Sequence, residues 1–383
     1  MLPQTESRAV WLDLVRLVAF LLLLGCHATD PINAAATYGA STAVLLPEDI
    51  TWAALWGSFV RPCVPLFVML TGALLLPVQS GMRQFYARRI PRVVWPFLIW
   101  SVAYYLTPWL TGLLGAESSI VPYLFSWAES DSQALSDGLA LVARIPLTFP
   151  YMVSHMWYIY LLIGLYLYLP VFSAWVAQAS QREKQWVLAV WGASLFVPYV
   201  TEFVTPYAFG TCSWNGFGTF YYFAGFNGYL LLGHYVAHHV RLSTPLTWLV
   251  CAVLMGIGLP VSYYGYQAMV ALPEPTPEQV ELFWTYCTPN VAMMSLAWML
   301  LLKRTSVRSA ALRNALKNLT LCGFGIYMMH YFFVRPCHDL VALLNLPTPL
   351  NIPVAAVLML AVTWSLVWLL RRALGRYARI VLG

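Results

Sequence analysis

Ionisable side chains are costly in hydrocarbon, by about 2.5–3.5 kcal/mol at the centre of a spanning helix, so each one there invites a functional reading. The apolar run 10–30 holds Asp13, Arg16, His27 and Asp30. Arg16 and His27 are eleven residues apart, close to three whole helical turns, so they share one face with a rise of about 16 Å between them. Asp30 follows His27 by three residues, a spacing at which a carboxylate can hold an imidazole and stabilise its protonated form. A histidine suits general-base work on a hydroxyl, whereas an arginine, permanently charged, suits a phosphate or carboxylate. A structural reading stands beside this: His27 and Asp30 cap the outer helix end, and Arg16 snorkels to headgroups.

Other groups have two readings as well. Arg88, Arg89 and Arg92 follow Phe85 and Tyr86 at the mouth of an apolar run. They either obey the positive-inside tendency or capture a phosphorylated cytoplasmic donor. The stretch Ser154-His155-Met156-Trp157-Tyr158 opens another run, where Trp and Tyr are ordinary interfacial residues. His330, inside an apolar run, must face a partner or a cavity. His238, His239 and His338 fall near the ends of runs, where exposure is expected. The seven cysteines show no metal-binding spacing and indicate no disulfide pairing. No phosphate-binding glycine loop, zinc-protease motif or nucleophile elbow is present.

The elements that must position these residues follow from composition. Hydrophobic residues make up 60% of the 383, aromatics 15%, and Asp, Glu, Lys and Arg only 9%, against about 25% charged in soluble domains. So few charges exclude a disordered chain, a nucleic-acid module and a soluble enzyme. The expected fold is an all-α polytopic membrane protein with about ten transmembrane helices, both termini cytoplasmic. The expected spans are 10–30, 52–77, 92–114, 155–177, 185–204, 218–239, 246–267, 284–302, 319–342 and 352–371. With this topology, 17 of the 21 Lys and Arg fall in inner segments, only Arg61, Arg144 and Arg335 fall outside, and most acids lie outside. The first run, interrupted by Asp13 and Arg16, reads as a retained helix and not as a cleaved signal. Residues 131–145 are expected to form an amphipathic surface helix, and the proline-rich 268–283 an extended loop. With no linker or repeat, the chain reads as a single domain over 1–383.

The residues also resemble a known family, the acyltransferase family three integral-membrane acyltransferases, along nearly the whole chain. Arg16 to His27 looks like the family's R-x10-H pattern. Phe67 to Leu75 resembles its F-x-x-S-G-[YF]-L-L segment, with Thr71 and Ala73 as departures. Arg89 to Arg92 resembles its arginine pair, His155 to Tyr158 its H-x-W-[FY] element, Gly228 to Gly233 its glycine-bounded span, and Gly325 to His330 its G-I-Y-x-x-H ending. Within the family the chain looks most like compact bacterial O-acetyltransferases such as those acting in enterobacterial common antigen biosynthesis.

The resemblance implies acetyl-CoA as a cytoplasmic acyl donor, with no permanently bound cofactor and no metal, and a location in the bacterial inner membrane among its lipids. The implied acceptor is a hydroxyl of a cell-surface polysaccharide, envelope glycan or lipid-linked sugar, and no nucleic acid is implied. His27, oriented by Asp30, would act as the general base; Arg16, Arg88, Arg89 and Arg92 would meet the donor's phosphates. His155, Trp157, Tyr158 and His330 would contact the acceptor. The alternative is a transporter or flippase for a polysaccharide or lipid-linked sugar, since intramembrane Asp, Arg and His also serve proton-coupled movement; the absence of clear repeated halves counts against it. A third reading is a catalytically idle assembly protein.

Overall fold

A computed structural model describes residues 5–38, 46–113, 120–125 and 134–383. Over these the chain is helical, with no β-strand among the described residues. In chain order the helices are α1 (Thr5–Tyr38), α2 (Pro47–Phe59), α3 (Cys63–Leu75), α4 (Met82–Leu113), α5 (Ile120–Leu124), α6 (Leu135–Ala143), α7 (Trp157–Gln178), α8 (Gln181–Ser194), α9 (Val197–Phe203), α10 (Asn227–His238), α11 (Thr244–Val270), α12 (Pro277–Glu281), α13 (Pro289–Arg304), α14 (Ala310–Met329), α15 (Val334–Ala342), α16 (Thr348–Leu374) and α17 (Ala378–Val381).

Seven segments among the described residues are long and apolar enough to cross a membrane: Val10–Asn33, Pro47–Leu75, Met82–Leu113, Val153–Gln178, Gln181–Phe203, Thr244–Val270 and Thr348–Val381. Their outer faces fit lipid. On α11, Leu249, Val253, Ile257 and Val261 are exposed at four-residue intervals, the stripe that a helix turns toward hydrocarbon. The other three expected spans fall on shorter or more charged helices. α10 has 12 residues, about 18 Å of rise, and α13 has 16, about 24 Å. α14 carries Arg313 and Lys317 in its first half.

Two compact units make up the chain. The first comprises Met1–Pro77 and Phe172–Lys317, the second Val78–Val171 and Asn318–Gly383. In the first unit α3 packs on α1 and α10, α1 on α2 and α13, and α11 on α2 and α13. The α3–α10 contact is set by two glycines facing opposite backbones. A Cβ on Gly72 would lie 1.9 Å from the Leu230 carbonyl oxygen, and one on Gly233 would lie 1.9 Å from that of Met69. Only hydrogen side chains admit so close an approach. Trp284 anchors the same unit by stacking on Tyr266 at 3.7 Å and donating from Nε1 to Ser58 Oγ at 2.9 Å.

In the second unit α4 packs on α5, α6 and α17, and α15 on α5 and α16. Tyr104 of α4 is fully buried, donates to the Met328 carbonyl at 2.7 Å and stacks on Phe332 at 4.4 Å. Trp364 Nε1 donates to Asn318 Oδ1 at 2.7 Å. Aromatics, buried like Tyr104 or half-buried like Trp364, whose polar tips find acceptors thus tie its helices together.

Two loop expectations meet the structure differently. The amphipathic surface helix is present as α6, with Leu135 and Leu139 exposed and Gly138 buried; residues 131–133 lie outside the described residues. The 268–283 loop is not extended throughout, because α11 runs to Val270 and α12 begins at Pro277. Thr276 accepts from the Gln279 backbone, the Gln279 side chain accepts from the Thr276 backbone, and Pro277 fits the first helical turn. The prolines break the chain at 273 and 275 and start a helix at 277.

Candidate functional site

α1 carries the first pair of charged groups as one unbroken helix, so Arg16 and His27 lie on one element as their spacing requires. Pro31 lies within it and has no N–H to offer the His27 carbonyl. The Arg16 guanidinium donates to Asp13 Oδ1 at 2.9 Å. His27 Nδ1 is 2.7 Å from Asp30 Oδ2. A carboxylate only accepts, so Nδ1 carries the proton and the lone pair of the neutral ring is on Nε2. The His27 side chain is 11% exposed and that of Asp30 is 45% exposed. The base is sheltered while its orienting carboxylate reaches solvent.

The second expected span is broken. Helix α2 ends at Phe59 and α3 begins at Cys63, with Val60, Arg61 and Pro62 between them. Pro62 cannot supply the N–H that a continuous helix would need there. Arg61, counted with the outer basic residues although it falls within the expected span 52–77, is buried at this break. Its Nε donates to the Gly57 carbonyl at 3.0 Å, the group that the main-chain N–H of residue 61 would bond in an unbroken helix. Its guanidinium lies 4.0 Å from the Trp284 ring centroid, and Nη1 is 3.6 Å from Glu281 Oε2. Its charge acts on Cys26, Cys63 and Tyr286. The break packs beside the dyad's own turn of α1: a Cβ on Gly25 would lie 3.1 Å from the Val60 side chain, and one on Gly57 3.3 Å from that of Asn33. A buried cation therefore neighbours the helical turn that carries His27.

In the second unit the structure gathers the residues expected at the acceptor end around Tyr327. Its ring lies 5.3 Å from His155, 5.7 Å from Tyr158 and 5.8 Å from His330, centroid to centroid. His155 and His330 are 4.6 Å apart, both buried, and His155 stacks on Tyr331 at 5.0 Å. The His330 Nδ1 donates to the Tyr327 carbonyl at 2.7 Å, and the Tyr327 hydroxyl donates to the His155 carbonyl. Trp157 is half-buried, 6.2 Å from Tyr158. On α4, Arg88 and Arg92 are exposed one turn apart and Arg89 is half-buried. Among the described residues none of the three is held by a carboxylate. Such arginines are available to an anionic ligand.

Arg61 is the residue that sequence reasoning missed at this site, although an Arg-Pro dipeptide inside an apolar run is a readable sign of a broken helix. The seven cysteines are all free thiols. Of the three histidines expected to be exposed, only His238 is; His239 and His338 are half-buried, because other helices cover the ends on which they lie. Among the described residues no group of His, Cys, Asp and Glu could hold a metal ion.

A family model described as an acyltransferase domain, that of acyltransferase family three, matches residues 9–368. No curated protein and no solved structure matches the chain.

Proposed function

The chain belongs to acyltransferase family three and is a multi-pass membrane acyltransferase; from that premise we propose that it moves an acetyl group from cytoplasmic acetyl-CoA to a hydroxyl of an envelope glycan or lipid-linked sugar. The observation that supports this reading is the 2.7 Å contact between His27 and Asp30 in a buried turn of α1. With Nδ1–H given to Asp30, Nε2 takes the proton of the acceptor hydroxyl as its oxygen attacks the thioester carbonyl. The tetrahedral oxyanion collapses, the C–S bond breaks, and the thiolate leaves with the proton that His27 returns. Asp30 holds the ring in the productive tautomer and stabilises the imidazolium formed midway.

Arg16, Arg88, Arg89 and Arg92 are assigned to the donor's phosphates, for which a permanent positive charge is the suitable partner. His155, Trp157, Tyr158 and His330 are assigned to the acceptor. Tyrosine and tryptophan faces suit sugar rings because each offers apolar area with a polar edge. The proposed topology is ten spans in a bacterial inner membrane with both termini cytoplasmic, supported by the alternation of basic residues along the loops. The likeness to common-antigen-type O-acetyltransferases belongs to the same proposal.

Membrane vesicles supplied with labelled acetyl-CoA test the reaction. His27→Ala, folded and present at wild-type level, is expected to lose at least a hundredfold in transfer, the lower end of what a general base contributes. Equal transfer by that variant would remove His27 from the chemistry.

A further inference from the structure

Where α11 begins and α13 ends, the first unit carries a set of cations with no acid among them. The two helices run antiparallel. A Cβ on Gly258 would lie 2.7 Å from the Asn290 carbonyl oxygen, the Cys251 thiol donates to the Ala297 carbonyl at 3.3 Å, and the Arg304 guanidinium donates to the Thr244 hydroxyl. Successive contacts are about two turns apart on each helix, so the start of α11 and the end of α13 lie side by side. Arg241, just before that start, is exposed, and so are Arg304 and Arg308. Arg313, in the first turn of α14, donates from Nη1 to the carbonyls of Val307 at 3.2 Å and Arg308 at 3.0 Å, which folds the intervening loop back on itself. Lys317 is exposed one turn further along α14.

The chain has no Asp or Glu from 203 to 273 or from 282 to 338, and none of these five cations pairs with a carboxylate among the described residues. Retention of basic residues on one side of a membrane accounts for their number. It does not require that Arg304 and Arg313 be held by hydrogen bonds, the first at a defined depth. That depth follows from α11, which is long and apolar enough to cross a membrane. Its exposed apolar surface begins at Leu246 and Trp248 and continues through Leu249, Val253, Ile257 and Val261. Leu246 and Leu249 lie about 3 and 8 Å along the axis from Thr244, and the headgroup layer on each side of the hydrocarbon is about 5–7 Å thick. The Arg304 guanidinium, tied to Thr244, therefore sits at headgroup level, with Trp248 as the boundary residue.

We propose that Arg241, Arg304, Arg308, Arg313 and Lys317 form a docking surface for the headgroups of acidic phospholipids. A phosphodiester is a permanent anion and hydrogen-bond acceptor, and a guanidinium offers it paired donors in one plane. Several basic residues beside a spanning helix add their attractions to an acidic leaflet, whereas a zwitterionic headgroup cancels most of its own charge. In the ten-span topology this surface faces the cytoplasm. Only the choice of leaflet rests on the proposed function; the docking itself needs α11 to cross the membrane and does not need the transfer reaction.

Full-length protein in neutral detergent is titrated with phosphatidylglycerol or phosphatidylcholine, and the lipids retained are counted by native mass spectrometry. The wild type is expected to retain phosphatidylglycerol in preference. The double variant Arg304→Gln, Arg308→Gln should weaken that retention about tenfold to thirtyfold. Arg308→Gln alone, whose side chain has no hydrogen bond to lose, should weaken it about fivefold and leave the unfolding temperature unchanged. The control Arg376→Gln, Arg379→Gln removes the same charge from exposed positions outside the surface, and should retain the lipid as the wild type does. Wild-type retention by every variant overturns the surface. Equal weakening in the control also overturns it, since net charge alone would then attract the lipid. So does loss of CoA binding, measured calorimetrically, with phosphatidylglycerol retention intact, which gives these cations to the donor instead. Failure of the transferase reading has a different signature, acetyl transfer absent from wild type or retained by His27→Ala, and it leaves the lipid result as it stands.

Discussion

The ring nitrogen that carries the proton in His27 is decided by one carboxylate, and Asp30 is half-exposed. Asp30→Asn, whose amide oxygen still accepts but no longer stabilises an imidazolium, is expected to lower the acetyl-transfer rate about tenfold to a hundredfold, less than loss of the base. Single-turnover measurements with labelled donor check it; an unchanged rate would leave Asp30 as a helix cap. Arg61 makes a different kind of contribution. Replacing it with Met removes the bond to the Gly57 carbonyl and the contact with Trp284, at a cost of about 1–3 kcal/mol. Arg61→Lys should recover part of this, as a cation without the planar donor set. Thermal unfolding in detergent reads both. His27, Asp30 and their spacing were legible in the sequence because i and i+3 residues meet on any helix. Arg61 was not, because its place depends on Trp284 and Glu281, more than two hundred residues away.

Helices α3 and α10 approach backbone to backbone, and two glycines permit it. Gly233→Ala is expected to cost more than about 3 kcal/mol or to prevent assembly, since its methyl would overlap the Met69 backbone, which cannot move as a side chain end can. Gly256→Ala on α11 is the control: nothing lies within 4 Å of the added methyl, so the helix should gain about 0.5–1 kcal/mol. Unfolding midpoints and yields of monodisperse protein compare the two. Similar behaviour of both variants would mean that the α3–α10 approach is looser than its glycines require. The second expected span shows the limit of reading elements from hydropathy. An apolar run of the right length counts as one span whether or not Pro62 divides it, and only the tertiary contacts of Arg61 show why the break is tolerated. For the same reason α10 and α13, read as spans, are short helices largely enclosed by their neighbours.

At the scale of the whole chain the proposed ten spans make a prediction that seven would not. With the native cysteines replaced and a single cysteine placed at Glu274 or Ser306, a membrane-impermeant maleimide should label the first from the outside and the second only from the cytoplasm. Labelling of both from one side would mean that α13 does not cross. Composition determined that the chain lives in lipid, since 9% charged residues cannot solvate a surface of this size, and the length of its apolar runs determined that it is helical, since about 20 such residues cross hydrocarbon as a helix that satisfies its own backbone hydrogen bonds. Local spacing determined the His27–Asp30 pair and the common helix face of Arg16 and His27. Tertiary structure alone decided that Arg61 is buried at a helix break and that His155, Tyr158 and His330 surround Tyr327. Periodicity reports which residues share a face of one helix, whereas these groupings depend on which helices pack together, and that is settled by side-chain fit between segments far apart in sequence.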